Sequence, residues 1–299
     1  MNVRLLSVLL AWSLLVPAAV SAAFAASPWS RERLQAWCIV PYDALKRTPE
    51  QRATLLRELG LRRYAYDYRP EHIPTFDREV EVMKAAGIEI TAWWFPTTLN
   101  DTARTILAVI ERQGIKPDLW VQGGPGGPVR TPAEQAARVQ AEVNRLRPLA
   151  VEARRLGVRL GLYNHLGWFG DPDNQLLVLA ALHAEGLTNV GIVFNFHHAH
   201  DYTRTFVHLW PRLSPHVIAI NLNGMVPGGD RSGQKIHPLN EGTEELSLLR
   251  VIRASGWQGD VGVLSHVAER DAAETLARNL AGYDRLMAAL DAEDAAPAR

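Results

Sequence analysis

The stretch "RLGVRLGLYNHLGWFGDP", residues 155–172, contains one strand together with both of its connections. Gly157 follows a long run rich in Ala, Arg and Glu, and glycine in that place is typical of a helix end. A short apolar run comes next, "RLGLYNH" at 159–165. Asp171 and Pro172 then favour a helix start, because aspartate suits the N-cap and proline the first helical position. The stretch predicts helix, strand and helix in close succession.

The same succession recurs along the chain. Eight short runs rich in β-branched or aromatic residues predict strands. They are 36–40, 63–68, 88–96, 118–123, 159–165, 189–195, 217–223 and 260–266. Helix signals separate the runs, so we expect an α/β protein, a single-domain (β/α)₈ TIM barrel over residues 30–290. The alternative, an open doubly wound sheet, rarely needs eight evenly spaced units.

The two ends of the chain differ in composition from this region. Residues 1–25 predict a removed signal peptide, with Arg4 before an apolar core at 5–16 and an A-x-A pattern at 23–25. We therefore expect export, to the periplasm or outside the cell. The apolar core is short for a stable membrane span, and no other stretch is long enough to form one. Residues 291–299 are predicted to be a polar, frayed tail.

Composition limits the classes of partner. The 299 residues carry 32 basic and 32 acidic side chains, so the formal net charge is zero and we expect no nucleic-acid partner. Cys38 is the single cysteine, which excludes an internal disulfide. It lies in an apolar run, and we expect a buried, inert thiol.

In a (β/α)₈ barrel the active site lies at the carboxyl ends of the strands. Here those ends are rich in aromatic, amide and imidazole side chains. Such groups suit sugars, because aromatic faces stack on C–H groups and neutral polar groups bind hydroxyls. The segment 223–242 after the seventh strand is unusually long, which predicts a functional loop, and we expect it to act as a lid with charged residues.

Four stretches resemble the xylose-isomerase-like superfamily, a group of sugar isomerases, epimerases and AP endonucleases. They are "LGLYNHLGWFGDPDNQ", "NVGIVFNFHHAH", "VIAINLNGM" and "GWQGDVGVLSH". The resemblance implies a divalent metal bound by Glu, Asp, His and Glu on strands 5 to 8. Asn164, His165 and His198 match the family pattern. The four ligand positions hold neutral residues instead: Tyr163, Asn195, Asn221 and Ser265. A divalent cation normally needs carboxylates, so we expect no metal cofactor, although a bound metal stays open.

Three interpretations of the histidines remain. They supply acid and base without a metal, bind Zn²⁺ or Cu²⁺ through imidazole alone, or line a barrel that only binds sugar. Side chains alternate along a strand, so if Asn195 points inward His197 does too, and His198 points away unless the strand has ended. Only one of these two histidines is expected to reach the site. His200 is expected to be solvated.

We expect an enzyme of the isomerase or epimerase class, or a related sugar lyase, that abstracts a proton next to a carbonyl. The candidate acid and base are His165 and His198, with His266 and Glu241 in reserve. The candidate substrate-binding residues are Tyr163, Asn164, Asn195, His197, Asn221, Asn223, Trp93, Trp94, Trp168, His237 and Lys235. The expected partner is a small sugar or a glycan, and the sequence leaves the oligomeric state unknown.

Two alternatives to this activity remain. One is a non-catalytic carbohydrate-binding barrel. The weaker one is a glycoside hydrolase, which needs two facing carboxylic acids. Asp43 and Asp67 are the strand-end candidates for that pair.

Overall fold

A computed structural model describes residues 27–295, and the predicted signal peptide at 1–25 lies outside this range. Eight parallel strands follow one another in chain order and close into a barrel, with β1 paired to β8. This confirms the predicted single-domain (β/α)₈ barrel. The strands are β1 (Gln35–Trp37), β2 (Arg63–Tyr66), β3 (Glu89–Phe95), β4 (Asp118–Val121), β5 (Leu160–Tyr163), β6 (Val190–Asn195), β7 (Val217–Leu222) and β8 (Asp260–Leu264).

Helices cover the outside of the barrel. They are α1 (Pro49–Glu58), α2 (Phe76–Ala85), α3 (Asp101–Gln113), α4 (Pro132–Arg155), α5 (Gly167–Gly170), α6 (Pro172–Ala184), α7 (Phe206–Leu213), α8 (Gly229–Ser232), α9 (Glu245–Ala254) and α10 (Ala272–Asp294). The capping box that begins α4 shows why the sequence starts a helix there. The Thr131 hydroxyl accepts from the Glu134 N–H, and the Glu134 carboxylate accepts from the Thr131 N–H, so two unpaired donors are satisfied.

Alternation along the strands divides the apolar residues into two layers. One set packs between the strands and the helices, where it forms the larger core. The other set fills the barrel interior, with one or more residues from every strand: Trp37, Cys38, Ala65, Ala92, Trp120, Tyr163, Val193, Ala219 and Leu264. Each strand therefore carries its next inward side chain to the carboxyl end of the barrel.

The last helix corrects one predicted boundary. Residues 291–294 of the predicted tail continue α10, which ends at Asp294. Arg253 contacts Asp291 and Asp294, so the charges assigned to a frayed tail form ion pairs with α9 instead. Among the described residues, none of the helices combines the length and apolar character that crossing a membrane requires.

Candidate active site

A small pocket lies at the carboxyl ends of the strands, and we call it the mouth pocket. Its volume is about 60 Å³. It is lined by Trp37, Cys38, Tyr42, Asp67, Arg69, Trp94, Tyr163, His165, His197, His198 and His266. Residues from the ends of β1, β2, β3, β5, β6 and β8 therefore meet at one point, as the fold predicts for a site.

Four histidines form a continuous cluster in this pocket. The ring centres of His165 and His198 are 4.5 Å apart, those of His197 and His198 are 4.0 Å apart, and those of His197 and His266 are 5.2 Å apart. Both His197 and His198 line the pocket, so the expectation that only one reaches it was wrong. The reason is that β6 ends at Asn195 and a 3₁₀ turn follows over Phe196–His198. The turn breaks the two-residue alternation on which the expectation depended.

Burial keeps these imidazoles neutral. Together with the positive charge of Lys235, it lowers the pKa of His198 to about 2 and that of His266 to about 4. The pKa of His197 is also well below its ordinary value, first through burial and then through the neighbouring His198. His165 is the exposed member of the cluster, and its partial burial, followed by the charge of Lys235, lowers its pKa. At neutral pH the cluster therefore offers ring nitrogens that both donate and accept hydrogen bonds.

Asp67 is the carboxylic acid of this pocket, at the end of β2. The side chain is 2% exposed, and its Oδ1 accepts from the Val40 N–H at 3.3 Å. Its Oδ2 has no hydrogen-bond partner among residues 27–295. Burial raises the pKa of Asp67 to about 7, against the opposing charge of Arg69. The sequence pointed to Asp67 only as a possible glycosidase acid. Because side chains two residues apart on a strand point the same way, the inward position of Ala65 also indicates that Asp67 points inward.

The second hydrolase candidate, Asp43, does not face Asp67. Its carboxylate pairs with Arg47 at 2.7 Å and accepts from the backbone N–H groups of Leu45 and Ala272. Among the described residues, Asp67 is the one carboxylate that lines the mouth pocket. The pair of facing acids that a glycosidase uses is therefore not formed here.

Cys38 lies at the end of β1, beside Asp67. The thiol is buried and not part of a disulfide, as the sequence predicts. Burial and then the negative charge of Asp67 raise its pKa well above the ordinary value. The thiol thus stays protonated at neutral pH, which is the condition of an inert cysteine rather than of a nucleophile.

The loop 223–242 packs against the barrel interior through Ile236, and His200 contacts two of its backbone carbonyls. Nε2 of His200 lies 2.9 Å from the carbonyl oxygen of Lys235, and Nδ1 lies 3.0 Å from that of Val226. His200 is fully buried, so the expectation of a solvated ring was wrong. The physical reason is that the ring has backbone partners in place of water, since Nε2 lies against the Lys235 carbonyl and Nδ1 accepts from the Val226 N–H at 3.3 Å. Lys235 itself is half-buried, and its charge acts on all four pocket histidines.

The four positions of the family's metal ligands do not fit a divalent cation here. The Tyr163 hydroxyl accepts from Trp37 Nε1 at 3.1 Å, and Asn195 Oδ1 lies 3.0 Å from Nδ1 of His197. Ser265 is hydrogen-bonded to Thr275 on α10, away from the barrel axis. The part of the chain that the structure describes contains no group of three or more His, Cys, Asp or Glu residues arranged to hold a metal ion. The positions thus lack both carboxylates and converging lone pairs.

Asn221, the remaining ligand position, is fully buried. Within the described chain, neither of its amide atoms has a hydrogen-bond partner. Gly262 on β8 makes room for it, since a Cβ there would lie 1.9 Å from Asn221 Oδ1. The amide is neutral, so it offers a dipole below the pocket rather than a charge for a cation.

Several other predicted site residues have structural partners elsewhere. Within residues 27–295, they are not among the residues that line the mouth pocket. Asn164 bonds the backbone N–H and carbonyl of Asn195. Trp93 packs against Tyr66 and Phe76 on the helix side of β3.

Two more candidates lie on the outer surface around the mouth. Trp168 donates to Gln135 at 2.7 Å. Glu241 pairs with Arg278 on α10.

A larger cavity of about 330 Å³ adjoins the mouth pocket and shares His266 with it. His237 and Asn223 line this cavity rather than the mouth pocket. Asn223 also holds the loop in place, because its Nδ2 donates to the Lys235 carbonyl and its Oδ1 accepts from the His237 N–H. The loop predicted to be a lid therefore forms one wall of the larger cavity.

Comparison with solved structures identifies proteins of similar fold. The chain has the fold of the xylose isomerase-like TIM barrels. It is similar to a xylose isomerase domain-containing protein from Salmonella typhimurium LT2, with a TM-score of 0.66 and 13% identity over 86% of this chain and 98% of that one. It is also similar to 3-keto-D-glucoside 4-epimerase from E. coli, with a TM-score of 0.62 and 15% identity over 84% and 98%.

A third similar structure is D-allulose 3-epimerase from Methylomonas sp. in complex with D-allulose, with a TM-score of 0.59 and 11% identity over 85% and 97% of the two chains. In comparisons of sequence, no protein-family model and no curated protein matches this chain. At such low identity the likeness defines the fold, and the activity depends on the residues of the site.

Proposed function

We propose that this protein is an exported sugar isomerase or epimerase that moves a proton next to a carbonyl without the divalent metal usual in its fold family. The observation that carries the proposal is the cluster of four neutral histidines over an aromatic floor at the barrel mouth. Sugar epimerases among the structural neighbours support the choice of substrate class.

The floor and walls of the pocket suit a polyol. Trp94 packs edge-on against Tyr163, and Tyr42 stacks on His266 with ring centres 3.6 Å apart. Aromatic faces bind the C–H side of a sugar ring, while neutral imidazoles donate to and accept from its hydroxyls. His165 is the proposed acid that exchanges protons with substrate oxygens. His198, whose ring centre lies 4.5 Å away, is proposed to share this role.

In this proposal two cationic side chains supply the positive charge that a metal ion would otherwise provide. Arg69 lines the pocket, and the charge of Lys235 reaches all four histidines. Removing a proton next to a carbonyl places negative charge on the carbonyl oxygen. Preorganised positive groups and hydrogen-bond donors around that oxygen stabilise it.

Substrate entry requires the loop 223–242 to move. Pockets that hold small ligands usually measure about 300–1,000 Å³. The mouth pocket, at about 60 Å³, is much smaller than this. Ile236 and His237 of the loop line the adjoining cavity of about 330 Å³, which shares His266 with the mouth pocket, so movement of this part of the loop would enlarge the space beside His266. We therefore propose that the observed arrangement is a closed one.

A proton-exchange assay tests the activity and the metal requirement together. Purified protein, dialysed against a chelator, is incubated in deuterated water with a panel of aldoses, ketoses and keto-glycosides, and exchange is followed by NMR. We expect exchange at a carbon next to the carbonyl, slowed in His165→Asn. His208→Asn, an exposed histidine on α7, is the matched control and should exchange at the wild-type rate. Exchange that disappears on chelation and returns with a divalent ion would contradict the metal-free proposal.

A second candidate function, sugar binding without catalysis, is favoured by one observation. The pKa of His198, lowered to about 2, makes this ring a weak base. Binding of a sugar by calorimetry, with no exchange in the same sample, would support this candidate over the enzyme.

Export is proposed from residues 1–25. Expression of the full chain followed by N-terminal sequencing of the secreted or periplasmic fraction should give Ala26 as the first residue. A protein that keeps Met1 in the cytosol would contradict export.

A further inference from the structure

We infer that Asp67 is the general base that removes the proton from the substrate carbon, an inference that rests on the proposed function. Asp67 follows the inward Ala65 on β2 and lines the same pocket as the four histidines. Within residues 27–295, Asp67 is the only carboxylic acid that lines this pocket.

The two carboxyl oxygens of Asp67 have different surroundings. Oδ1 accepts from the Val40 N–H, which fixes the side chain at the end of β1. Oδ2 is buried and accepts no N–H or O–H in the described part of the chain, and the Cys38 thiol, a weak donor, lies beside the carboxyl. A buried polar oxygen without a partner costs free energy, so its presence in a pocket indicates that a ligand completes its contacts. One oxygen thus positions the carboxyl, and the other is left for a substrate.

The charges around Asp67 suit proton transfer near neutral pH. Burial raises its pKa to about 7, while Arg69 and Arg52 act in the opposite direction. Cys38, Tyr42 and Tyr163 face it as neutral groups, and burial raises the pKa of each. A base is most effective when its pKa is close to the working pH. The histidines of the pocket are weaker bases because their pKa values are lowered.

The step balances with groups already in the pocket. The ionised Asp67 takes the proton, so the substrate C–H bond breaks and an O–H bond forms on the carboxyl. The C–H electron pair becomes the new C=C bond, and the carbonyl π pair moves to the oxygen as an enolate. Arg69 and Lys235 supply the positive charge that this oxygen needs. Return of the proton to the same carbon gives isotope exchange, and return elsewhere gives an isomer or epimer.

Asp67→Asn tests the inference with little change of shape. The amide oxygen still accepts from Val40 N–H, but the side chain no longer takes a proton. We expect deuterium exchange into the substrate to fall at least about 100-fold, the low end of the contribution of a general base. The wild-type rate should rise with pH through about 7 as Asp67 ionises, and this rise should be absent from the residual rate of the variant.

Asp118→Asn is the matched control, because Asp118 is also a buried strand aspartate but pairs with Arg159 at the opposite end of the barrel. It should exchange at the wild-type rate. If Asp67→Asn fails to fold, Asp67→Ser, which also keeps an acceptor for Val40 N–H, replaces it.

The outcomes separate the two proposals. Wild-type exchange that persists in a folded Asp67→Asn or Asp67→Ser variant overturns the role of Asp67 and leaves the proposed function standing. No exchange by the wild-type protein with any sugar that it binds overturns both. Exchange by the wild type that is lost in the variants and retained in Asp118→Asn supports both.

Discussion

Tyr163 shows at the scale of one residue how this barrel differs from the family that its sequence resembles. The resemblance expects a metal-binding glutamate at its position. Here the buried hydroxyl accepts from Trp37 Nε1, and burial raises its pKa well above the ordinary value. The side chain therefore stays neutral and belongs to the packing of the barrel interior. A neutral residue at this position is part of how the barrel is held together.

Tyr163→Phe should destabilise the fold, because it leaves the Trp37 indole N–H buried without an acceptor. Such a loss costs about 1–3 kcal/mol. Urea unfolding measures it. Tyr66→Phe is the matched control, since the buried Tyr66 hydroxyl has no partner among the described residues, and its removal should cost less. Equal losses for the two variants would contradict this account.

The pKa of His198 predicts how stability changes with pH. An unfolded histidine binds a proton below its ordinary pKa of about 6.5. Folded His198 stays neutral down to a pH of about 2. Between these values the unfolded chain binds more protons at this site, so His198 makes the free energy of unfolding fall as the pH falls.

His198→Asn should reduce that dependence. We expect the variant to lose less stability than the wild type between pH 7 and pH 5, as measured by urea unfolding at both values. His208→Asn, at an exposed position, should keep the wild-type fall. An unchanged pH dependence in His198→Asn would show that this ring is charged in the folded protein.

At the scale of elements, the loop 223–242 depends on one residue outside it. His200 contacts the carbonyl oxygens of Val226 and Lys235, near the two ends of the short helix α8. Gly229 packs directly on the ring, since a Cβ there would lie 2.5 Å from His200 Nδ1. Met225 and Leu239 anchor the two ends of the loop in the core, so we infer that the His200 clamp sets how easily the part between them opens.

His200→Ala should release the loop. Amide hydrogen exchange at Gln234 and His237, whose N–H groups are bonded inside the closed loop, should become faster than in the wild type. His183→Ala, which removes a ring that bonds the Val190 carbonyl at the edge of the barrel, should leave these two amides unchanged. Unchanged protection in His200→Ala would show that other contacts hold the loop.

The elements were easier to predict from sequence than the directions of their last side chains. All eight strands lie within the predicted runs or begin one residue before, because apolar runs and helix starts are local signals. Trp93 and Trp94 show the limit. One faces the helices and the other the mouth, and the choice depends on register with β2, where the pairing shifts between Tyr64 and Ala65. Such a shift is a property of two strands together, so a single strand's pattern does not reveal it.

At the scale of the whole molecule, large interior side chains are accommodated by glycines on neighbouring strands. Ile218 on β7 lies against Gly161 and Gly191, and a Cβ on Gly191 would lie 2.4 Å from the Ile218 side chain. Trp120 similarly lies against Gly161. A few bulky residues thus fill the interior, and the glycines beside them leave the space that these side chains occupy.

Gly191→Ala should therefore overpack the barrel and cost about 1–3 kcal/mol of stability in urea unfolding. Gly127→Ala is the control. In the described structure no atom lies within 4 Å of the Cβ that Gly127 would gain, so its unfolding midpoint should stay near that of the wild type. A wild-type midpoint for Gly191→Ala would mean that the interior tolerates an extra methyl group.

The aromatic floor has an optical consequence. Trp37 and Trp94 line the mouth pocket, with ring centres 6.0 Å apart, and Trp37 also lies 4.8 Å from Trp120. Any molecule that enters the pocket changes the polarity around these indoles and therefore their ultraviolet emission. The intrinsic fluorescence of these tryptophans can therefore be used, without a label, to screen a library of sugars for binding before any reaction is known.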